Sequence, residues 1–169
     1  MSRVNDIKKQ FDPYLSGMNG SPLKSYIIDR VIGQIAWYDK KSIEKQKLFT
    51  MLSIMAIMLN AVIPVMVLLS DECLLVKVLI AGLSSAAGAI SSIITLCSYK
   101  DLWVHYRSNC EMLQSILYRF FLRVGEFKQI TNDEAALKDT LVIACENYFT
   151  KEFQTWVSIA DEDPLNGAK

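Results

Sequence analysis

Few residues of this chain have the types and spacing that catalysis or metal binding needs. The one histidine, His105, lies a helical turn from Asp101, which we interpret as an ordinary surface pair. The four cysteines form no C-x-x-C pair, so they favour neither a disulfide framework nor, with a single histidine, a zinc site. Phosphate-binding loops, zinc-protease motifs and nucleophile elbows are absent from the sequence. We therefore predict that the chain is not an enzyme and holds no metal or cofactor.

Two stretches without a charged residue stand in the middle of the sequence, at 48–69 and 78–99. Each is about 22 residues long, and a helix of that length spans roughly 33 Å, close to the ~30 Å hydrocarbon layer of a bilayer. The residues before 48 contain no apolar run typical of a cleavable signal. We therefore expect an all-α fold, a two-pass transmembrane hairpin whose first span is its own insertion signal and whose helices extend into a cytosolic bundle.

The segments around the spans follow from helical periodicity and capping signals. Ser21 followed by Pro22 predicts a helix start, and no breaker separates that helix from the first span. The predicted segments are a polar leader (1–21), a cytosolic helix (22–47), the first span (48–69), a short external link (70–77), the second span (78–99), a cytosolic helix (100–127), a C-terminal cytosolic helix (131–160) and a tail (161–169).

Breakers and caps predict where the smaller helices begin and end. A short helix in the leader, around 4–11, is expected to break at Pro13. Gly125 is expected to end the helix that follows the second span. Thr131 and Glu134 have the spacing of a capping box and predict the start of the last helix. The apolar stripe of that helix comprises Ala136, Leu137, Leu141, Ala144, Cys145, Tyr148, Phe149, Phe153 and Trp156.

Basic residues next to the spans predict the orientation. They are Lys40, Lys41, Lys45, Lys47 and Lys100. Because positive charge is retained on the cytoplasmic side, both termini are expected to be cytoplasmic. A lysine cluster could also bind nucleic acid, but beside a span it is more simply an anchor to anionic lipid. We therefore expect membrane lipid, and not nucleic acid, as the partner of these lysines.

The second span carries many small and hydroxyl-bearing residues on one side. The candidates for helix packing or pore lining are Asn60 in the first span and Ser84, Ser85, Gly88, Ser91, Ser92, Thr95 and Ser98 in the second. Such a face can pack closely against the first span or a second copy, or it can line a water-filled path in an oligomer. Asn60 is expected to donate a hydrogen bond to another helix. Neither span carries a full charge or a potassium-type filter, which argues against active transport and strong potassium selectivity.

Polar and aromatic residues on either side of the spans form a recognisable pattern. The residues are Arg30, Gln34, Trp37 and Tyr38 before the first span, and Trp103, Tyr106, Arg107 and Glu111 after the second. This pattern resembles the SLATT group of small bacterial two-transmembrane proteins. Members of that group are proposed to be effectors of bacterial conflict systems that assemble into membrane pores, often encoded beside nucleotide-signal synthases or sensors. The resemblance implies that these residues are signature positions, that the location is the bacterial inner membrane, and that a nucleotide-signal sensor or defence protein is a partner.

The signature residues also have physical roles that can be predicted from their chemistry. Arg30 and Gln34 are one helical turn apart and could reach an acid such as Glu111 on a neighbouring helix. Trp37 and Tyr38 are expected to pack against the aromatic residues of the later motif, forming a collar next to the membrane.

Two functions of different classes are compatible with these patterns. The first is an oligomeric channel or pore-forming effector that conducts ions or small solutes, for which self-association is necessary because one hairpin cannot enclose a pore. The second is a membrane-anchored adaptor whose cytosolic helical domain binds a partner protein.

Overall fold

The computed structural model describes residues 3–18, 20–69, 74–130 and 133–161, and within these ranges the chain contains helices and turns but no strand. The all-α prediction is confirmed. The long helix α2 begins as Pro22–Ser25, widens into a π-helical stretch at Tyr26–Ile32 and continues as an α-helix over Gly33–Leu69. The other α-helices are α1 (Arg3–Leu15), α3 (Leu74–Leu96), α4 (Tyr99–Phe121) and α5 (Glu134–Asp161).

The chain divides into two compact units, one formed by Met1–Ala36 with Cys110–Lys169 and the other by Trp37–Asn109. The first, which we call the terminal unit, brings together parts of the sequence that are far apart. Its fully buried apolar side chains come from α1, α2, α4, α5 and the turn Gly125–Phe127, and they include Phe11, Leu15, Ile27, Val31, Ile32, Leu113, Leu117, Phe127 and Leu141. We call the second the apolar unit, since it contains both uncharged stretches.

Helix α2 begins where the capping signals predict. Pro22 is its first residue, and the Ser21 hydroxyl accepts a hydrogen bond from the backbone N–H of Leu23 at 3.3 Å. Proline is tolerated there because the first N–H groups of a helix have no acceptor within the helix. Ile27 and Val31, which lie in the π-helical stretch, are fully buried in the terminal unit. This packing holds the first turns of α2 in place.

The predicted break at Pro13 is wrong, since α1 continues through it to Leu15. Phe11 and Leu15 lie one turn apart on either side of the proline and are 0% and 1% exposed. The Phe11 ring lies 5.1 Å from the Tyr118 ring, centroid to centroid. Proline inside a helix costs about 3 kcal/mol. Burial of two such side chains returns roughly 1.5–3 kcal/mol each, which is sufficient to keep the last turn helical.

The end of α4 also differs from the prediction, because the helix stops before Gly125 is reached. The N–H of Arg123 donates to the carbonyl of Phe120 at 3.3 Å, and the N–H of Val124 donates to that of Arg119 at 3.1 Å. These two bonds form a Schellman motif. Arg123 takes the left-handed conformation that this motif requires, with a φ of +54°. Gly125 has a positive φ of its own, +66°, at the start of the next turn.

A turn at Cys97 and Ser98 separates α3 from α4, whereas the sequence predicts an uninterrupted helix over 78–99. Ser98 has a φ of +43°, and its hydroxyl donates to the carbonyl of Thr95 at 3.4 Å. A serine hydroxyl that bonds to a nearby carbonyl offers the backbone an alternative to helical geometry. Ser98, the last of the hydroxyl-bearing residues predicted for the second span, therefore lies in a turn and not in the helix.

Helix α5 is capped by Asp133, which the sequence analysis missed. The Asp133 carboxylate accepts hydrogen bonds from the N–H groups of Ala135 and Ala136, both at 3.0 Å. Its own carbonyl accepts from Leu137 at 3.1 Å, as expected of an N-cap residue. The predicted cap Thr131 lies outside the described residues.

The apolar stripe of α5 is buried only in the first half of the helix. Leu137, Leu141 and Cys145 are at most 4% exposed, whereas Phe153 is 69% exposed. Phe153 belongs to the stripe by its spacing, but the chain does not bury it. The side chain of Trp156 lies outside the described residues.

Replacing the cap gives the first prediction. Asp133→Ala should lower the stability of the terminal unit by about 1 kcal/mol, because two N–H groups lose their acceptor. The measurement is thermal unfolding followed by circular dichroism. Asp139→Ala, an exposed position within the same helix, is the matched control and should leave the midpoint unchanged or slightly higher. Equal effects of the two changes would contradict the assignment of the cap.

Candidate functional site

The apolar unit contains two apolar helical windows, one in Pro22–Leu68 and one in Leu74–Phe127, each long and apolar enough to cross a membrane. Only 6% of each window is buried within the chain. The core helix of a soluble protein passes the same test of length and composition but is mostly buried. Leu68 and Leu96, for example, are each 86% exposed. These helices therefore present apolar surface that the chain itself does not cover.

One face of α3 is covered by other residues of the chain, and it is purely apolar. Its residues recur every three or four positions and are buried or half-buried: Val76, Ile80, Leu83, Ala87, Ile90 and Ile94. Ala87, at 2% exposure, is the most buried of them. The contact surface within the chain is thus formed by branched side chains around one alanine.

The small hydroxyl-bearing face predicted for the second span lies elsewhere on α3 and is exposed. We call it the hydroxyl face, and it consists of Ser84, Ser85, Gly88, Ser91, Ser92 and Thr95. A Cβ atom placed on Gly88 would meet no atom within 4 Å. In this chain the face is not covered by the first span, although the sequence left such packing open. The face remains available to a second copy or to a water-filled path.

The side chains of the hydroxyl face satisfy their donors within α3. Ser84 and Ser85 donate to the carbonyls of Ile80 and Ala81, both at 2.9 Å. The three further hydroxyls bond one turn back in the same way, at 2.9–3.0 Å. Each hydroxyl oxygen keeps an acceptor lone pair directed away from the helix. The face can therefore contact apolar surroundings without an unsatisfied donor, and it still offers acceptors to a passing solute.

Asn60 in α2 also donates to its own helix. Its side-chain amide donates to the carbonyl of Ala56 in its own helix at 2.7 Å. Within the described chain this amide bonds to its own helix, and a bond from its second N–H to another copy stays a prediction. One helical turn brings the amide close enough to its own backbone, so no neighbouring helix is needed.

The aromatic collar is present in the apolar unit. The Trp37 ring meets the Tyr106 ring edge-on, with centroids 5.6 Å apart, and the Tyr38 and Tyr106 centroids are 6.3 Å apart. Tyr38 is 3% exposed, while Trp37 is 44% exposed. The predicted packing of the two motifs is confirmed for Tyr106. These rings join the N-terminal part of α2 in this unit to α4.

Trp103 contributes to the collar by different contacts. Its carbonyl accepts a hydrogen bond from the hydroxyl of Ser42 at 3.3 Å. Its indole Nε1 is buried and has no hydrogen-bond partner in the part of the chain that the structure describes. Ser42, at 3% exposure, joins α2 to α4 and carried no signal in the sequence analysis.

An ion pair accompanies the aromatic contacts. The Arg107 guanidinium donates to the carboxylate of Asp39 at 3.3 Å, and Asp39 is 8% exposed. The sequence analysis identified Arg107 but missed Asp39. A buried carboxylate needs a cation or donor nearby, so this pair fixes the register of α2 against α4.

The predicted lipid-anchoring lysines are only partly free to meet an anionic surface. Lys41 pairs with Glu44 at 3.1 Å, and Lys40 lies 3.9 Å from the same carboxylate. The Lys45 ammonium lies 5.4 Å from the centroid of the Tyr99 ring. Lys47 and Lys100 are exposed. Glu44 thus compensates part of the positive charge on this side of the unit.

A second cluster lies in the terminal unit, and it corrects the partner predicted for Arg30. The Arg30 guanidinium donates to both oxygens of Glu146 on α5 at 3.1 Å, and the Tyr26 hydroxyl donates to the same carboxylate at 2.9 Å. The Arg30 guanidinium carbon also lies 4.6 Å from the centre of the Phe149 ring. We call these four residues the Arg30 cluster. Glu111, the predicted partner, is outside it, as is Gln34, which is half-buried.

The electrostatics of the Arg30 cluster keep its groups in their ordinary charge states. The hydrogen bond from Arg30 lowers the pKa of Glu146 below its usual value, and burial followed by the hydrogen bond to Glu146 raises the pKa of Tyr26. Burial raises the pKa of the adjacent Cys145 thiol to about 12. A thiol with so high a pKa is a poor nucleophile, and the cluster therefore indicates a structural contact between α2 and α5.

The chain matches the family model described as "Protein of unknown function (DUF4231)" over residues 33–135. It belongs to this family. The DUF4231 region contains both apolar windows, the collar and the hydroxyl face, whereas Arg30 and Glu146 lie outside it. No curated protein and no solved structure matches the chain. Membership of the family therefore adds no activity to what the geometry indicates.

The pKa of Glu146 gives a prediction with a defined sign. Because the folded state lowers this pKa, the contribution of Glu146 to stability is present above the usual pKa of a glutamate and is lost as pH falls through the lowered value. Wild-type protein should therefore lose stability as pH falls below the usual pKa of a glutamate, by about 1 kcal/mol at most since both side chains are roughly half exposed. The measurement is amide hydrogen exchange of α5 as a function of pH.

Glu146→Gln is the test variant, and Asp139→Asn on the same helix is its control. The first change should weaken protection of α5 at pH 7 and remove most of its dependence on acid. The second should leave both unchanged. If Glu146→Gln kept the wild-type pH profile, the Arg30 cluster would not be responsible for it.

Proposed function

We propose that this DUF4231 protein is an integral membrane protein that assembles into homo-oligomers, and that the assembly is a channel or pore-forming effector conducting ions or small solutes. The support for a membrane location is the apolar surface of two helices of sufficient length, of which the chain buries only 6%. In water such a surface would cause aggregation, whereas in a bilayer it would contact apolar lipid chains.

The observation that carries the proposal of a channel is the exposed hydroxyl face of α3. The chain covers the apolar face of this helix and leaves uncovered the face with small residues and acceptor oxygens. Small residues allow helices of different copies to approach closely, and outward lone pairs can replace part of the hydration of a solute. Because one hairpin cannot surround a path, several copies must contribute their hydroxyl faces.

The proposed orientation places both termini in the cytoplasm of a bacterial cell, with the protein in the inner membrane. Lys45, Lys47 and Lys100 supply positive charge beside the collar, even though Glu44 compensates Lys40 and Lys41. Trp37 at the collar is exposed, as expected of an aromatic residue at a membrane interface. The resemblance of the signature residues to the SLATT group supports a role in bacterial defence.

The central experiment is flux through vesicles that contain the purified protein and an entrapped dye or ion. Wild-type protein is expected to release the contents, and Ser91→Leu should reduce the release because a branched apolar side chain replaces an acceptor on the hydroxyl face. The matched control is Ala86→Leu, an exposed position roughly 140° around the helix from Ser91. A wild-type protein that is oligomeric in vesicles but releases nothing would overturn the proposed channel.

Self-association gives a separate prediction. Gly88→Leu should leave the monomer folded, since the added side chain meets open space, but it should shift the protein toward smaller assemblies in detergent. Ala86→Leu places the same leucine side chain on another face and should leave the size distribution unchanged. The measurement is light scattering coupled to size-exclusion chromatography, with circular dichroism as the check on folding. Unchanged size for Gly88→Leu would exclude the hydroxyl face as the contact between copies.

The second candidate function is a membrane-anchored adaptor, and one observation favours it. The second half of α5 exposes Phe153 and Val157, at 69% and 43%, and the first half exposes Ile143, at 58%. Apolar side chains in this position can bind a partner protein. The vesicle experiment distinguishes the two functions, because an adaptor would release no vesicle contents under any condition.

A further inference from the structure

The terminal unit contains a cavity of about 340 Å³, which lies where several helix ends meet. It is bordered by the turn at Gly17 and Met18, the start of α2, the end of α4 and the start of α5. This volume is within the range of about 300–1,000 Å³ that small-molecule sites occupy. The Arg30 cluster does not line the cavity, so the two features are distinct.

The cavity has an apolar wall and a charged rim. The wall includes Leu23, Phe120 and Leu137, which are 7%, 5% and 4% exposed, and Phe121 lies beside them. The rim residues are Arg123, Lys138 and Glu134. Lys138 lies 3.6 Å from Glu134, whose side chain is 84% exposed, so their attraction is largely screened by water. Two cations against one carboxylate leave the rim with a single net positive charge.

Arg123 occupies a position where glycine is the usual residue. Its φ of +54° places it at the left-handed position of the Schellman motif, and a side chain there is strained. Its guanidinium makes a long hydrogen bond of 3.4 Å to the carbonyl of Ile130, which leaves most of its donors for other groups. Strain retained at a cation on a cavity rim points to a role other than stability.

Three backbone donors at the helix starts beside the cavity are already used. The N–H of Leu23 is bound by the Ser21 hydroxyl, and those of Ala135 and Ala136 are bound by Asp133. These donors are not open to an anion, so the charged side chains of the rim are the groups that would bind one. Arg123 and Lys138 are the cations placed to do so.

We propose that this cavity binds a small organic anion with one negative charge and an aromatic or aliphatic part. The negative group pairs with Arg123 and Lys138, and the apolar part lies against Phe120 and Leu23. Such a ligand completes the charge balance of the rim and covers an apolar wall. The proposal goes beyond the channel function and does not depend on it.

The test is isothermal titration calorimetry of the full chain in detergent with 1-naphthalenesulfonate, and with 1-naphthol as the uncharged probe. The sulfonate is expected to bind more tightly than the naphthol by roughly tenfold, as one charge-assisted contact provides. Lys138→Met should reduce sulfonate affinity by about the same factor. The control Lys151→Met removes the same charge from an exposed position of α5 and should have no effect.

Two further variants separate binding from folding. Arg123→Gly should weaken sulfonate binding by roughly tenfold while keeping or raising the thermal midpoint, because glycine relieves the strained conformation. Glu134→Gln should strengthen binding, since it removes the carboxylate that competes for Lys138. Equal affinity for the two probes would overturn the proposal. Sulfonate binding that is unchanged by Arg123→Gly and Lys138→Met would overturn it as well.

Discussion

The apolar side chains of α3 and of the second half of α2 face outward over most of those helices, and this constraint shapes the rest of the structure. The chain covers one face of α3, centred on Ala87, and leaves the remaining circumference to be covered by something else. Leucine, isoleucine and valine exposed in such numbers are unfavourable in water, at about 25 cal/mol per Å² of apolar surface. Lipid and further copies of the chain are the two surroundings that remove this cost, and the proposed function uses both.

Helix α2 connects these apolar residues to a core of a different kind. Its first turns, including the π-helical stretch at Tyr26–Ile32, are packed among α1, α4 and α5 in the terminal unit. The Arg30 cluster adds a charged contact to α5, and its groups keep their ordinary charge states near neutral pH. Because α2 continues as Gly33–Leu69, the same element belongs to a well-packed core at one end and to an apolar stretch at the other.

Predictions from the sequence were accurate where a local interaction decides the structure. The cap at Ser21 and the start of α2 follow from neighbouring residues, and so does the helical periodicity of both apolar stretches. They were wrong where a distant contact prevails over local preference. Burial of Phe11 and Leu15 overrides Pro13, and Arg123 rather than Gly125 takes the left-handed position at the end of α4.

The sequence by itself determined the all-α class and the presence of two uncharged helices, because periodicity and charge depend only on the order of the residues. The contact between the aromatic residues on either side of the spans could also be predicted from the sequence, and Trp37 and Tyr106 make it. Only the tertiary structure decided which face of α3 is covered, that Arg30 binds Glu146, and that Arg123 and Lys138 line the same cavity. These outcomes depend on which helices become neighbours, and spacing within a single helix carries no information about its neighbours.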